Sequence, residues 1–196
     1  MKPPWKSTCR TFGVIGSYLL LSAMPAILAR TGRKAVSHEG GERRKLRVAF
    51  FNDLGFSFGA GIGHRRLAGA FSAAGHEVRA FAATSSDPVR ESMRVSGEQV
   101  LRSLRGFGPD LVVVGNLHGA DLDGTLPARI ASEFETAFVM HDQWLLTGRC
   151  AYTGGCRKYL DGCSAACTCP GAYPELRPDL IRGAWEDKRR ALESAR

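Results

Sequence analysis

The sequence predicts a doubly wound α/β domain on a parallel sheet, and three observations carry that expectation. Four short apolar runs, 46–51, 78–82, 111–114 and 136–140, have the length and composition of buried strands. The segments between them place apolar residues at the i, i+3, i+4, i+7 spacing of a helix packed along one side. Strands alternating with helices at this interval make βαβ units, which require a parallel, Rossmann-like sheet with right-handed crossovers.

Residues 1–45 precede this pattern and read as a leader and linker. Lys2, Lys6 and Arg10 come before an uncharged run over 11–29, and Arg30, Arg33 and Lys34 follow it. That run of 19 residues is just long enough to cross a bilayer as a helix, although Gly13, Gly16, Ser17, Ser22 and Pro25 make it only moderately apolar. Three readings stay open: a membrane anchor, a cleaved signal peptide, and an extension ahead of the true domain start. The expected location is cytoplasmic, in association with the inner face of the membrane. Residues 35–45 are polar, contain glycine and lack any period, so the domain is expected to span 46–196.

Within the domain, Leu46-Arg47-Val48-Ala49-Phe50-Phe51 forms the first strand. A helix opens at Gly59-Ala60-Gly61 with Leu67, Ala70, Phe71 and Ala74 as its buried stripe, and Gly75 ends it. Val78 to Ala82 is the second strand. Ser96 to Arg105, carrying Val100, Leu101 and Leu104, is the second helix, and Leu111 to Val114 is the third strand. Thr125 to Glu133 is helical and Thr136 to Met140 is the fourth strand. Asp179 to Ser194, with Ile181, Ala184, Trp185 and Lys188 on one side, closes the chain as an amphipathic helix.

The net charge of +8 does not mark a nucleic-acid-binding protein. Residues 1–45 hold nine Lys/Arg against Glu39 and Glu42, which is +7 of that total. The remaining residues are nearly neutral, whereas a domain that meets phosphate backbones spreads basic groups over its face. Nucleic acid is therefore not an expected partner.

Candidate site residues fall at the carboxyl ends of the predicted strands, where open parallel sheets gather their ligands. After the first strand, the glycines around Gly59, Ala60 and Gly61 would let backbone N–H groups and a helix N-terminus approach a phosphate, or serve only as a flexible turn. They do not continue in the G-x-G-x-x-G register. Ala82-Ala83-Thr84 stands where a nicotinamide dinucleotide site would place an acidic residue, which disfavours an oxidoreductase. Asn116, His118 and the Asp121/Asp123 pair follow the third strand, as sugar or phosphate ligands or as solvated loop residues. His141 and Asp142 follow the fourth, where the adjacent carboxylate could hold the imidazole tautomer, and Trp144 stands beside them.

Five of the six cysteines then crowd into the loop 150–169 as Cys150-x5-Cys156-x6-Cys163-x3-Cys167-x1-Cys169. The paired C-x2-C knuckles of a zinc ribbon are absent. Thiolates need only converge in space, so four of the five could hold one structural Zn²⁺; disulfides or plain buried thiols are the alternatives.

Together these residues resemble the N-terminal domain of GT4-type bacterial glycosyltransferases, in particular the exopolysaccharide and colanic-acid subgroup. The resemblance covers about residues 46–195. It rests on His141-Asp142-Gln143-Trp144, Thr147-Gly148, Cys150-Ala151-Tyr152, Gly155-Cys156, Tyr159, Gly162-Cys163 and Cys169-Pro170, with Trp185 and Lys188 in the helix that follows. Gly59-Ala60-Gly61, Gly75-His76 and Asn116-Leu117-His118-Gly119 reinforce it. The subgroup's usual Cys-x2-Cys-Pro ending is replaced here by Cys163, Cys167 and Cys169, so the set of thiols that acts together differs or is open. The resemblance implies the N-terminal half of a two-domain GT-B fold. It implies retaining transfer of a sugar from a nucleotide-sugar donor to a polysaccharide or lipid-linked acceptor, with no metal or other cofactor at the reaction centre. The glycine loop would approach the donor diphosphate, and His141 would contact the donor sugar, with Asp142 orienting it. The second Rossmann-like domain with its paired-glutamate motif is absent from this sequence. A separate C-terminal domain is therefore an implied partner, and the chain is expected to be inactive alone. The alternative is a non-catalytic α/β domain from a truncated gene, membrane-tethered or metal-binding.

Overall fold

The computed structural model describes residues 44–57, 59–84, 96–119, 124–167 and 173–195. The leader, most of the linker, Asp121, Asp123 and Cys169 lie outside the described residues. A four-stranded sheet is formed by β1 Arg47–Asn52, β2 Glu77–Ala82, β3 Leu111–Val114 and β4 Thr136–Phe138. Its order is β2-β1-β3-β4 and every pairing is parallel. Helices α1 Gly59–Ala73, α2 Gly97–Phe107, α3 Leu126–Glu133 and α4 Ile181–Ser194 complete a Rossmann-like α/β fold.

Side chains on a strand alternate between its two faces, and here both faces are covered. Ala49, Phe51, Val112 and Val114 pack with Val100, Leu101, Leu104 and Phe107 of α2 and with Leu126 and Ile130 of α3. Val48, Phe50 and Val113 pack on the other side with Ala68, Leu67 and Phe71 of α1. This two-sided burial is why β1 and β3 read as continuous apolar runs. Phe50 and Phe51 are fully buried, each worth about 1.5–3 kcal/mol relative to exposure. At the edge strand β2 the outer positions are exposed, and the guanidinium groups of Arg47 and Arg79 lie 4.6 and 4.7 Å from the Phe107 ring centroid.

α2 begins as its sequence predicts. Ser96 is the N-cap and accepts from Gln99 N, while the Gln99 side chain accepts from Ser96 N, a reciprocal capping box. α1 differs from expectation: it buries Gly61, His64 and Ala68, keeps Leu67 and Phe71 half-buried, and leaves Ala70 and Ala74 exposed. The helix is rotated so that a glycine and a histidine, which carry no weight in an apolar pattern, lie under the sheet. β4 stops at Phe138. Val139 N still donates to Val114 O at 2.8 Å, but Met140 is exposed. α4 starts two residues later than expected, after the 3-10 turn Pro178–Leu180, and packs on α3 and on the 3-10 turn Trp144–Leu146.

The strand order reverses at β1, since β2 lies to one side of it and β3 to the other. The carboxyl ends of β1 and β3 therefore part at a topological switch point, the place where such sheets hold ligands.

Candidate functional site

Two buried polar residues at the end of β1 build the floor of the crevice. Asn52 donates through Nδ2 to Gly55 O at 2.6 Å and accepts at Oδ1 from Asn116 N at 3.0 Å, tying the glycine loop to the residues after β3. Asp53 accepts from Leu54 N at 2.7 Å and Gly119 N at 2.5 Å. Its backbone also bonds Asn116 O, Ala83 N and Thr84 N, so it joins the ends of β1, β2 and β3. A Cβ on Gly115 would stand 2.6 Å from Asn52 Oδ1, so only glycine fits there. The sequence reading did not single out Asn52 or Asp53. Their signal was a pair of polar residues directly after an apolar strand, a position shared by many solvated loop residues.

On the α1 side, a Cβ on Gly61 would lie 2.4 Å from Gly55 O, so the loop and the first turn of the helix meet backbone to backbone. Gly59 is exposed, with φ +40, and Ala60 is half-buried. His64 is fully buried among Phe50, Phe56 and His141. Its Nε2 is 3.1 Å from Val113 O, and since a carbonyl only accepts, Nε2 carries the hydrogen and pins α1 to β3. Burial pushes the His64 pKa down, so the ring is neutral. His141 reaches across from the end of β4. A Cβ on Gly63 would be 3.4 Å from His141 Cε1, and the His64 and His141 ring centroids are 6.0 Å apart, so this imidazole stands beside the first turns of α1. Burial lowers the His141 pKa, with the Asp142 charge opposing, and the neutral ring can donate from one nitrogen and accept at the other.

The Asp142 carboxylate does not serve His141 by hydrogen bonding. It accepts from His118 Nε2 at 2.7 Å and from Trp144 N at 2.8 Å. Consecutive residues leaving a strand point to opposite sides, so the sequence neighbour is not the spatial partner. Burial alone would raise the Asp142 carboxyl, yet the His118 and Trp144 bonds outweigh it and hold its pKa below the ordinary value. Nε2–H faces the carboxylate, and the other ring nitrogen, Nδ1, is buried and has no hydrogen-bond partner among the described residues. The His118 ring packs against Trp144 and Tyr173 at 5.7 and 5.5 Å between centroids. On the other side of Trp144, Lys188 is 2% exposed, with Nζ 3.9 Å from the indole centroid and 3.2 Å from Gly148 O. Burial holds its pKa down at about 7.

Asn116, His118, His141, Asp142 and Trp144 thus line one small cavity of about 20 Å³, and His118, Trp144, Arg149 and Lys188 line an adjoining one of about 240 Å³. A larger hollow of about 500 Å³ includes Arg149, Glu175 and Arg177 but none of His118, His141 or Asp142, so volume alone does not mark the site. No family model, curated protein or solved structure matches this chain.

The structure therefore brings Gly61, Asn116, His118, His141, Asp142 and Trp144 to the switch-point crevice, and adds His64 and Lys188 to its walls. Cys150, Cys156, Cys163 and Cys167 are unbridged and half-buried, and lie around a separate cavity with Thr147 and Tyr159. Among the described residues no group of three or more His, Cys, Asp or Glu side chains is assembled as a metal site. Among them, too, no helix is long and apolar enough to cross a membrane.

Proposed function

We propose that this domain is the N-terminal half of a GT-B retaining glycosyltransferase, taking a sugar from a nucleotide-sugar donor to a polysaccharide or lipid-linked acceptor. The observation that carries the reading is the placement of His141 beside the first turns of α1, with its ring centroid 6.0 Å from that of His64, which brings a neutral imidazole to the side of a helix that opens with the Gly59–Gly61 turn. Such a terminus favours an anion, and the donor diphosphate is the anion nearest the reacting sugar carbon.

In this reading the diphosphate lies over the Gly59–Gly61 turn, and His141 hydrogen-bonds a donor sugar hydroxyl. The bond between the anomeric carbon and the diphosphate oxygen breaks while the acceptor hydroxyl adds to the same face. The hydroxyl proton passes to the departing phosphate oxygen. Positive charge develops on the sugar ring and negative charge on the leaving phosphate, so preorganised N–H donors at the phosphate lower the barrier. His118, held by Asp142, packs against Trp144 and fixes its position, and Trp144 gives an apolar face for a sugar ring. A second Rossmann-like domain, in the same polypeptide or another, supplies the remaining donor contacts.

The test is glycosyl transfer by this chain in the presence of a candidate C-terminal domain, followed with radiolabelled nucleotide-sugars and a lipid-linked or oligosaccharide acceptor. Transfer with retained anomeric configuration supports the reading. Its absence with every companion domain, under conditions where the two halves associate, rejects it.

A further inference from the structure

We propose that Tyr152 and Tyr173 form a saccharide-binding platform beside the switch-point crevice, on which sugar rings of the acceptor stack. The inference rests on the glycosyltransferase reading and deepens it, because it assigns the contact made here to the sugars of the acceptor and not to a lipid portion. Tyr152 is 78% exposed and Tyr173 is 60% exposed, and among the described residues they are the two exposed aromatic side chains. They come from separate stretches of the loop after β4, yet their backbones meet: Ala151 N donates to Tyr173 O at 2.7 Å.

The backbone beneath Tyr152 is tied down on both sides. Gln143 N donates to Ala151 O at 2.9 Å and Thr153 N donates to Gln143 Oε1 at 2.8 Å, so both neighbours of Tyr152 are bonded to the residue that precedes Trp144. A tyrosine has only two side-chain torsions, and on a braced backbone its ring loses little freedom when a ligand settles on it. Tyr173 connects the platform to the crevice. Its ring centroid is 5.5 Å from that of His118 with the planes at 84°, and His118 shares a small cavity with His141, Asp142 and Trp144.

The chemistry of the surface selects the occupant. A pyranose has a face of C–H groups, which matches an exposed aromatic ring, and a rim of hydroxyls, which the phenol hydroxyls can serve as donors and acceptors. The residues flanking the two tyrosines, Ala151, Thr153, Gly154, Pro174 and Glu175, carry a single charge, a carboxylate, and no long aliphatic side chain. A surface that lies in a bilayer interface sets large apolar side chains beside Lys and Arg, so this composition favours a neutral glycan over a lipid surface.

The experiment is titration of the isotope-labelled full chain with two neutral probes, cellotetraose and lacto-N-tetraose, followed by NMR at the amides of residues 151–153 and 173 and at the tyrosine ring protons. Saturable shifts at these groups with at least one probe are expected, with Kd of about 1–10 mM. Tyr152→Ala and Tyr173→Ala should each weaken binding about three- to tenfold, on the scale of one aromatic contact, while Tyr152→Phe keeps the ring and should bind within about twofold of wild type. Tyr152 is exposed enough that its alanine variant should fold normally, which keeps the test open if Tyr173→Ala does not fold. Absence of saturable shifts at the tyrosines with both saccharides, at concentrations well above the expected Kd, overturns the platform; the donor reading is judged separately, by the response of the Gly59–Gly63 amides to nucleotide-sugars. Saccharide shifts at the tyrosines without any such donor response would support the platform and remove the donor reading. Equal saccharide binding by wild type and both alanine variants overturns the assigned residues. Co-sedimentation with phosphatidylglycerol vesicles that Tyr152→Ala abolishes, with no saccharide shifts, would assign the surface to a membrane and overturn the proposal, as would self-association lost in the same variant.

Discussion

Asp142→Asn keeps the size of the side chain and removes the charge that holds His118. In the wild type, His118 Nε2–H donates to Oδ2 at 2.7 Å between side chains only 9% and 12% exposed, and Trp144 N donates to Oδ1. Asparagine can still accept from Trp144, but it then turns its NH₂ group toward His118. To accept from that NH₂ group the imidazole must lose the Nε2 hydrogen and carry its proton at Nδ1, so the pairing with the carboxylate is replaced by one of opposite direction. A hydrogen bond to a charged group contributes about 1.5–3 kcal/mol and a neutral one about 1 kcal/mol, so the variant should lose about 1–2 kcal/mol at neutral pH. The pH dependence has a definite sign. The Asp142 pKa is lowered in the folded state, so its contribution is complete above the ordinary carboxyl value near 3.8 and is lost as pH falls through the folded-state pKa. The gap between wild type and variant should therefore narrow in acid. Urea unfolding across that range measures the gap, and long-range proton–nitrogen NMR of the imidazoles reads the tautomer. Equal stability at neutral pH, together with an Nδ1–H tautomer for His118 in the wild type, would refute the pairing and its role.

His141→Ala should lower transfer in the complemented system about 10²–10³-fold, on the scale of losing one group at the reacting centre. Its unfolding free energy should stay within about 0.5 kcal/mol of wild type because only the side of the ring toward His64 is desolvated and the residue fills no core position; a large stability loss with normal turnover would make it structural. Gly61→Ala drives a Cβ into Gly55 O and Phe56 Cα, so it should cost about 1–3 kcal/mol and displace the 55–57 turn; a wild-type denaturation midpoint would show that the close approach is not there. On the proposed reading, in which a second domain completes the donor cleft, this domain should bind sugar nucleotides at millimolar Kd, about −4 kcal/mol; micromolar binding by calorimetry would count against that reading.

The layers of the fold were legible because burial on both faces leaves unbroken apolar runs, and the second helix, expected from Ser96, does begin there, with Ser96 as its N-cap. The orientation of α1 was not legible. Gly61 and His64 are buried for a close backbone approach and a hydrogen bond to Val113, and neither reason registers in an apolar pattern. The site was legible as a location, since strand ends bring Asn116, His118, His141 and Trp144 to one crevice. Its pairing was not, because adjacency suggested His141 for Asp142 while the alternation of side chains after a strand assigns that carboxylate to His118, 24 residues earlier. Lys188 joins the wall only because α4 packs on the Trp144 turn, a contact with no local signature.

The most direct measurement is a titration of isotope-labelled chain with nucleotide-sugars, followed by NMR at the backbone amides of Gly59–Gly63 and the imidazoles of His118 and His141. The account predicts saturable shifts at these amides and at His141 with the intact nucleotide-sugar, and shifts confined to the amides with the nucleoside diphosphate alone. Shifts elsewhere on the domain, or none at the α1 turn and His141 at saturating ligand, would contradict it.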